Sequence, residues 1–67
     1  MKLYALKSNE QYLKKESDTI VFVGMEKASV YPSLEAMSVL IDMAKREKCE
    51  SLHCVILEIN ETVLEEI

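Results

Sequence analysis

The stretch TIVFVGM, residues 19–25, constrains the fold more than any other part of the chain. Read as a strand, it sends Ile20 and Phe22 to one side and Val21, Val23 and Met25 to the other. Both sides are apolar, so both call for cover. A chain of 67 residues has little to cover them with. At this length a single domain, 1–67, is the limit, and folding hides only about 60% of the unfolded surface. A core of that size supplies ~3–5 kcal/mol, and small domains commonly lean on disulfides, metal or a partner subunit.

The remaining segments read as strands around one helix. KLYALK (2–7) is a first strand, with a turn at Asn9 leading into QYLKK (11–15) as a hairpin return. TIVFVG (19–24) follows a polar ESD turn and ends at Gly24. KASVY (27–31) reads as a brief extended segment, since Pro32 biases Tyr31 away from helix. SLEAMSVLIDMAKREK (33–48) has no breaker; Ser33 is placed to cap its start, and Lys45, Arg46 and Lys48 suit the negative end of the helix dipole. SLHCVILEIN (51–60) is the last clear strand, and an extended continuation is expected over 61–67. The pattern predicts an α+β fold: a small antiparallel sheet of about three to four strands with one long helix packed on one face.

That helix has more apolar surface than one contact needs. At ~100° per residue, Glu35, Ser38, Asp42, Lys45 and Arg46 share a polar arc of roughly 100°. Leu34, Ala36, Met37, Val39, Leu40, Ile41, Met43 and Ala44 occupy most of the rest, about twice the width that a surface helix requires. In the last strand Val55, Leu57 and Ile59 line one side and Leu52, Cys54 and Ile56 the other, a pattern typical of strands covered on both faces. One helix covers one face. The other is expected to meet another polypeptide, with a second copy of the chain the simplest choice; the alternative is that the C-terminal segment folds back over it. The expected interface residues are Val21, Val23, Met25, Cys54, Ile56 and Met43. Tyr4, Tyr12 and Tyr31 are candidate anchors, because tyrosine is enriched at interfaces.

Chemistry-bearing motifs are sparse. Cys49, His53 and Cys54 lie within six residues and invite a zinc reading. Against it, the chain has no further Cys or His for a closed four-ligand site, and neighbours on a strand point to opposite faces. The same geometry opposes a Cys–His nucleophile pair. A lone glycine, Gly24, excludes the glycine-rich phosphate-binding fingerprints. No catalytic residue, cofactor or metal is expected. Net charge is −4, and residues 49–67 hold five acids with no Lys or Arg. The basic residues form pairs, not a stripe, so nucleic-acid binding through Lys14, Lys15, Lys45 and Arg46 is the second reading. The longest apolar run, IVFVGM, is too short to span a bilayer, and the opening residues do not read as a secretory signal, so the expected location is the cytoplasm.

The order MKLYALK, QYL, TIVFV, EKASVYPSLEAM and ILEI resembles a loose class of small phage and prophage proteins. These share an opening strand, a short hairpin, a passage of the form F-V, E-K-A-x-V-Y-x-S-L-x-x-A leading into a helix, and a final strand rich in Ile, Val and Glu. This chain has VGMEK where that class often carries acidic residues. The resemblance implies an origin and a mode of action, namely binding a host protein or blunting a defence system, without chemical turnover.

Overall fold

The computed structural model describes residues 1–58, 60 and 62–65. Four antiparallel strands, β1 (Lys2–Ser8), β2 (Gln11–Glu16), β3 (Thr19–Val23) and β4 (Leu52–Glu58), form one sheet in the order β3-β2-β1-β4. Both hairpins close through two-residue turns, since Ser8 pairs with Gln11 and Glu16 with Thr19. Each turn begins with a residue at positive φ, 55° at Asn9 and 53° at Ser17, which matches the strand twist. Asn9 suits that region better than Ser17, because its short amide can bond locally.

The β1–β2 hairpin stays paired for only two residue pairs, Lys7 with Tyr12 and Ser8 with Gln11. Beyond them the strands part, and residues 29–31 enter the gap. The Ser29 N–H donates to the Leu13 carbonyl at 3.1 Å, and the Lys15 N–H donates to Ser29 Oγ at 2.9 Å. On the other side, the Tyr4 N–H donates to the Tyr31 carbonyl at 2.8 Å and the Tyr31 N–H returns to Tyr4 at 2.9 Å. The extended segment expected over 27–31 is thus a wedge that satisfies main-chain groups of two separated strands, preceded by a 3₁₀ turn at Met25–Lys27.

The helix is shorter than the expected 33–48, and "long" overstates it. A 3₁₀ turn, Glu35–Met37, leads into α1, Ser38–Arg46. Ser33 Oγ accepts the Ala36 N–H at 3.1 Å, as anticipated for a cap. At the far end Lys48 adopts φ 57°, its N–H donates to the Lys45 carbonyl, and the Cys49 N–H donates to the Ala44 carbonyl. This Schellman arrangement ends α1 before Lys48.

α1 lies on one side of the sheet. Met37, Leu40 and Ala44 pack with Leu6 and Leu13, and Tyr4, Ile20, Tyr31 and Leu52 close the rim of this core. Each fully buried Leu or Met contributes about 1.5–3 kcal/mol relative to exposure. Only part of the expected apolar arc is used: Val39 of α1 is 57% exposed, and Leu34, just ahead of the 3₁₀ turn, is 49% exposed. The described part of the C-terminal segment does not fold back over the sheet. Thr62–Glu65 have no regular structure, and all are exposed, Leu64 at 94%. The expected extension over 61–67 therefore does not hold for these residues; Ile59, Glu61, Glu66 and Ile67 lie outside the described set. No helix among the described residues is long and apolar enough to cross a membrane.

Candidate functional site: an apolar sheet face

Register assigns the second face. Residues opposite one another in a ladder share a side. Leu6 belongs to the core, so its partner Cys54, and with it Leu52 and Ile56, are on the α1 side. The alternate pairs Leu3–Leu57, Ala5–Val55 and Lys7–His53 face away. Across the turn, Tyr12 opposes Lys7, so Tyr12 and Lys14, with their partners Val23 and Val21, also face away. Ala5, on this side by its pairing with Val55, is fully buried, so the face is covered at that point by its own neighbours.

Leu3, Val21, Val23, Val55 and Leu57 form the apolar part of this open face, each half-buried. No helix of the described residues lies over its centre. At one end, the loop after β3 closes in. Met25, Ala28 and Val30 join Leu3 and Leu57 around a hollow of about 440 Å³. The hollow reaches round the sheet end to Ile56, with Glu26 and Glu58 at its rim, the latter paired with Lys2 at 3.9 Å. Polar groups collect elsewhere: Lys7 Nζ stands 4.9 Å from the centre of the Tyr12 ring, and Lys14 pairs with Glu16 at 3.6 Å. An apolar hollow of this kind suits an apolar side chain.

The six residues expected at an interface do not form one surface. Val21 and Val23 are on the open face, and Met25, 55% exposed, stands beside it at the hollow. Cys54 and Ile56 are exposed on the α1 side, on an edge strand and not on one covered from both sides. Met43 is 5% exposed and cannot meet a partner. Its place in the wheel, one turn after Leu40 and Val39, left it unclear which apolar flank the sheet would take. The expectation did not include Leu3, which the β1–β4 ladder pairs with Leu57, or Ala28 and Val30, which the segment after β3 brings to the same hollow.

The other candidate groups are scattered. His53 and Cys54 point to opposite sides of β4, and His53 Nδ1–H donates to the Ser51 carbonyl at 2.9 Å. Cys49 packs on the core, and burial, followed by the charge of Glu47, raises its thiol pKa, so it stays protonated. No cluster of three metal-ligating side chains occurs among the described residues. Lys14 is on the open face, whereas Lys45 and Arg46 are on α1 across the sheet, where Arg46 shares a depression with Asp18 and Glu47. Lys15, paired with Ile20, is on the α1 side, so within one chain Lys14 is separated from the other three and the four cations do not build a single basic face.

No family model matches this chain, and neither a curated protein nor a solved structure matches it.

Proposed function

We propose that this chain is a non-enzymatic binding protein that acts in the cytoplasm by laying its open sheet face against another protein. One observation carries the proposal: opposite α1, Leu3 and Leu57 join Met25, Ala28 and Val30 in one apolar patch, and Val21 and Val23 add apolar surface beyond Tyr12 and Lys14 of β2. Apolar surface gathered in this way is characteristic of interaction sites. The separation of His53 from Cys54 supports action without turnover, because a nucleophile and its base must share a side. The resemblance to small phage proteins directs the search to a bacterial host protein.

The test starts from a protein captured from bacterial lysate by the tagged chain, then purified. Its affinity is compared for wild type, Val23→Asp on the open face and Val39→Asp on the exposed flank of α1, with circular dichroism to verify folding. Val23→Asp is expected to weaken binding at least tenfold, about 1.4 kcal/mol. Val39→Asp should leave it within about twofold, as surface changes usually stay within ~0.5 kcal/mol. Loss with Val39→Asp alone, or unchanged binding by a folded Val23→Asp, would remove the open face from the reading.

A further inference from the structure

β4 ends the sheet, and its free edge has a definite chemistry. Tyr4 spends both of its main-chain groups on Tyr31, on the far side of β1. None is left for Ile56, its neighbour in β4. Bonded and non-bonded pairs alternate along an antiparallel ladder. Leu52, Cys54, Ile56 and Glu58 therefore all direct their N–H and C=O groups outwards. Ser8 gives the same parity, since it closes a two-residue turn with Gln11 and opposes Leu52. These outward groups have no hydrogen-bond partner among the described residues.

Exposed edges are usually blunted by proline, lysine, a bulge or brevity. β4 has none of these: LHCVILE is seven residues long and pairs with β1 residue for residue. The other edge, β3, is less available. Its turn makes Glu16–Thr19 a bonded pair, so only Ile20 and Phe22 turn outwards, and α1 packs against this strand. β4 also exposes apolar side chains without cover, Ile56 at 56% and Cys54 beside it.

We propose that two copies of this chain pair antiparallel through their β4 edges, Val55 against Val55, into one eight-stranded sheet. This centre is the one that engages the whole of Leu52–Glu58, because Ser51 at φ 50° turns the chain away just before the strand. It seats Ile56 beside Cys54 of the second copy and covers both. It places Glu58 beside Leu52, and so sends the two acidic C-terminal stretches to opposite ends, where a parallel pair would stack them. The two open faces then join into one platform across the two-fold axis. The inference goes beyond the binding reading and does not depend on it: the edge pairs whether or not the platform has a client.

The test uses the full chain under reducing conditions. Sedimentation across micromolar to millimolar concentration is expected to show a monomer–dimer equilibrium. Cys54→Pro removes only an outward N–H, which an edge strand tolerates, so it should remain folded and become monomeric. Ile56→Lys, which leaves the backbone intact, should do the same. With Cys49→Ser and Cys54→Ser in place, Val55→Cys should form an intermolecular disulfide on mild oxidation, because a non-bonded pair brings Cα atoms to ~4.5 Å. A second form carrying Leu57→Cys should cross-link to one carrying His53→Cys, and neither to itself. A monomer at every concentration overturns the proposal. So does a dimer that survives both Cys54→Pro and Ile56→Lys, or one lost on Val21→Asp and untouched by the β4 changes, which would place the contact on the sheet face.

Discussion

Lys48 has the least comfortable backbone in the helical half of the molecule. At φ 57° its Cβ crowds the following carbonyl, a conformation that costs an L-residue roughly 1–2 kcal/mol. The position is fixed because the Lys48 and Cys49 N–H groups must both turn back onto α1. Glycine is the usual occupant of such a site. Lys48→Gly is therefore expected to stabilise the fold by about 0.5–1 kcal/mol after the entropy of the freer unfolded chain is counted. Urea denaturation would show a raised midpoint with unchanged slope; a lowered midpoint would mean that the lysine charge at the helix end outweighs the strain. A sequence reading gave Lys48 to the helix for its charge. Nothing in that charge discloses that the residue is the turn-maker, because the signal normally used is a glycine and none is there.

At the scale of elements, periodicity revealed what is local and missed what depends on strand order. The strands and the Ser33 cap were legible because turns, β-branched runs and a capping hydroxyl act over a few residues. The cap is testable: Ser33→Ala leaves the Ala36 N–H unpartnered and should cost about 0.5–2 kcal/mol. Thermal melts should fall accordingly, with the loss largely restored in Ser33→Asp. The wedge at residues 29–31 was not legible beyond its extended character. That it divides β1 from β2 rests on a pairing between Tyr4 and Tyr31, far apart in the chain. The same limit applies to β4. Its apolar residues on both sides suggested a strand covered on both faces, whereas the topology leaves it at the sheet's end.

For the whole molecule, the core draws on the α1 side of the sheet and the proposed binding on the other. Leu40 of α1 is fully buried against the sheet, and Leu40→Ala should cost about 2–5 kcal/mol. In a domain holding ~3–5 kcal/mol this removes most of the folded population. Val21 on the open face is only half-buried, so Val21→Thr should shift stability by less than about 1 kcal/mol. Chemical denaturation of both variants tests the division. A Val21 change as damaging as the Leu40 change would mean that the monomer itself depends on the open face. The excess of apolar surface over one helix was readable from the sequence, because it follows from counting residues against the stripe a helix can present. Which of those residues remain uncovered was not, because α1 uses Met37, Leu40 and Ala44 and leaves Val39 outside.

The segment between β1 and β2 also bears on the order of assembly. β2 and β3 meet across a two-residue turn, so their ladder needs no distant encounter and should nucleate within microseconds. The facing positions of β1 and β4 lie far apart in the chain, from Ser8 and Leu52 to Lys2 and Glu58, and Tyr31 must arrive before the first half of β1 has neighbours on both flanks. Closing that larger loop is the slow step that topology imposes. The amides of Tyr4 and Tyr31 should accordingly gain protection from solvent exchange late, as a pair, after those of β2 and β3.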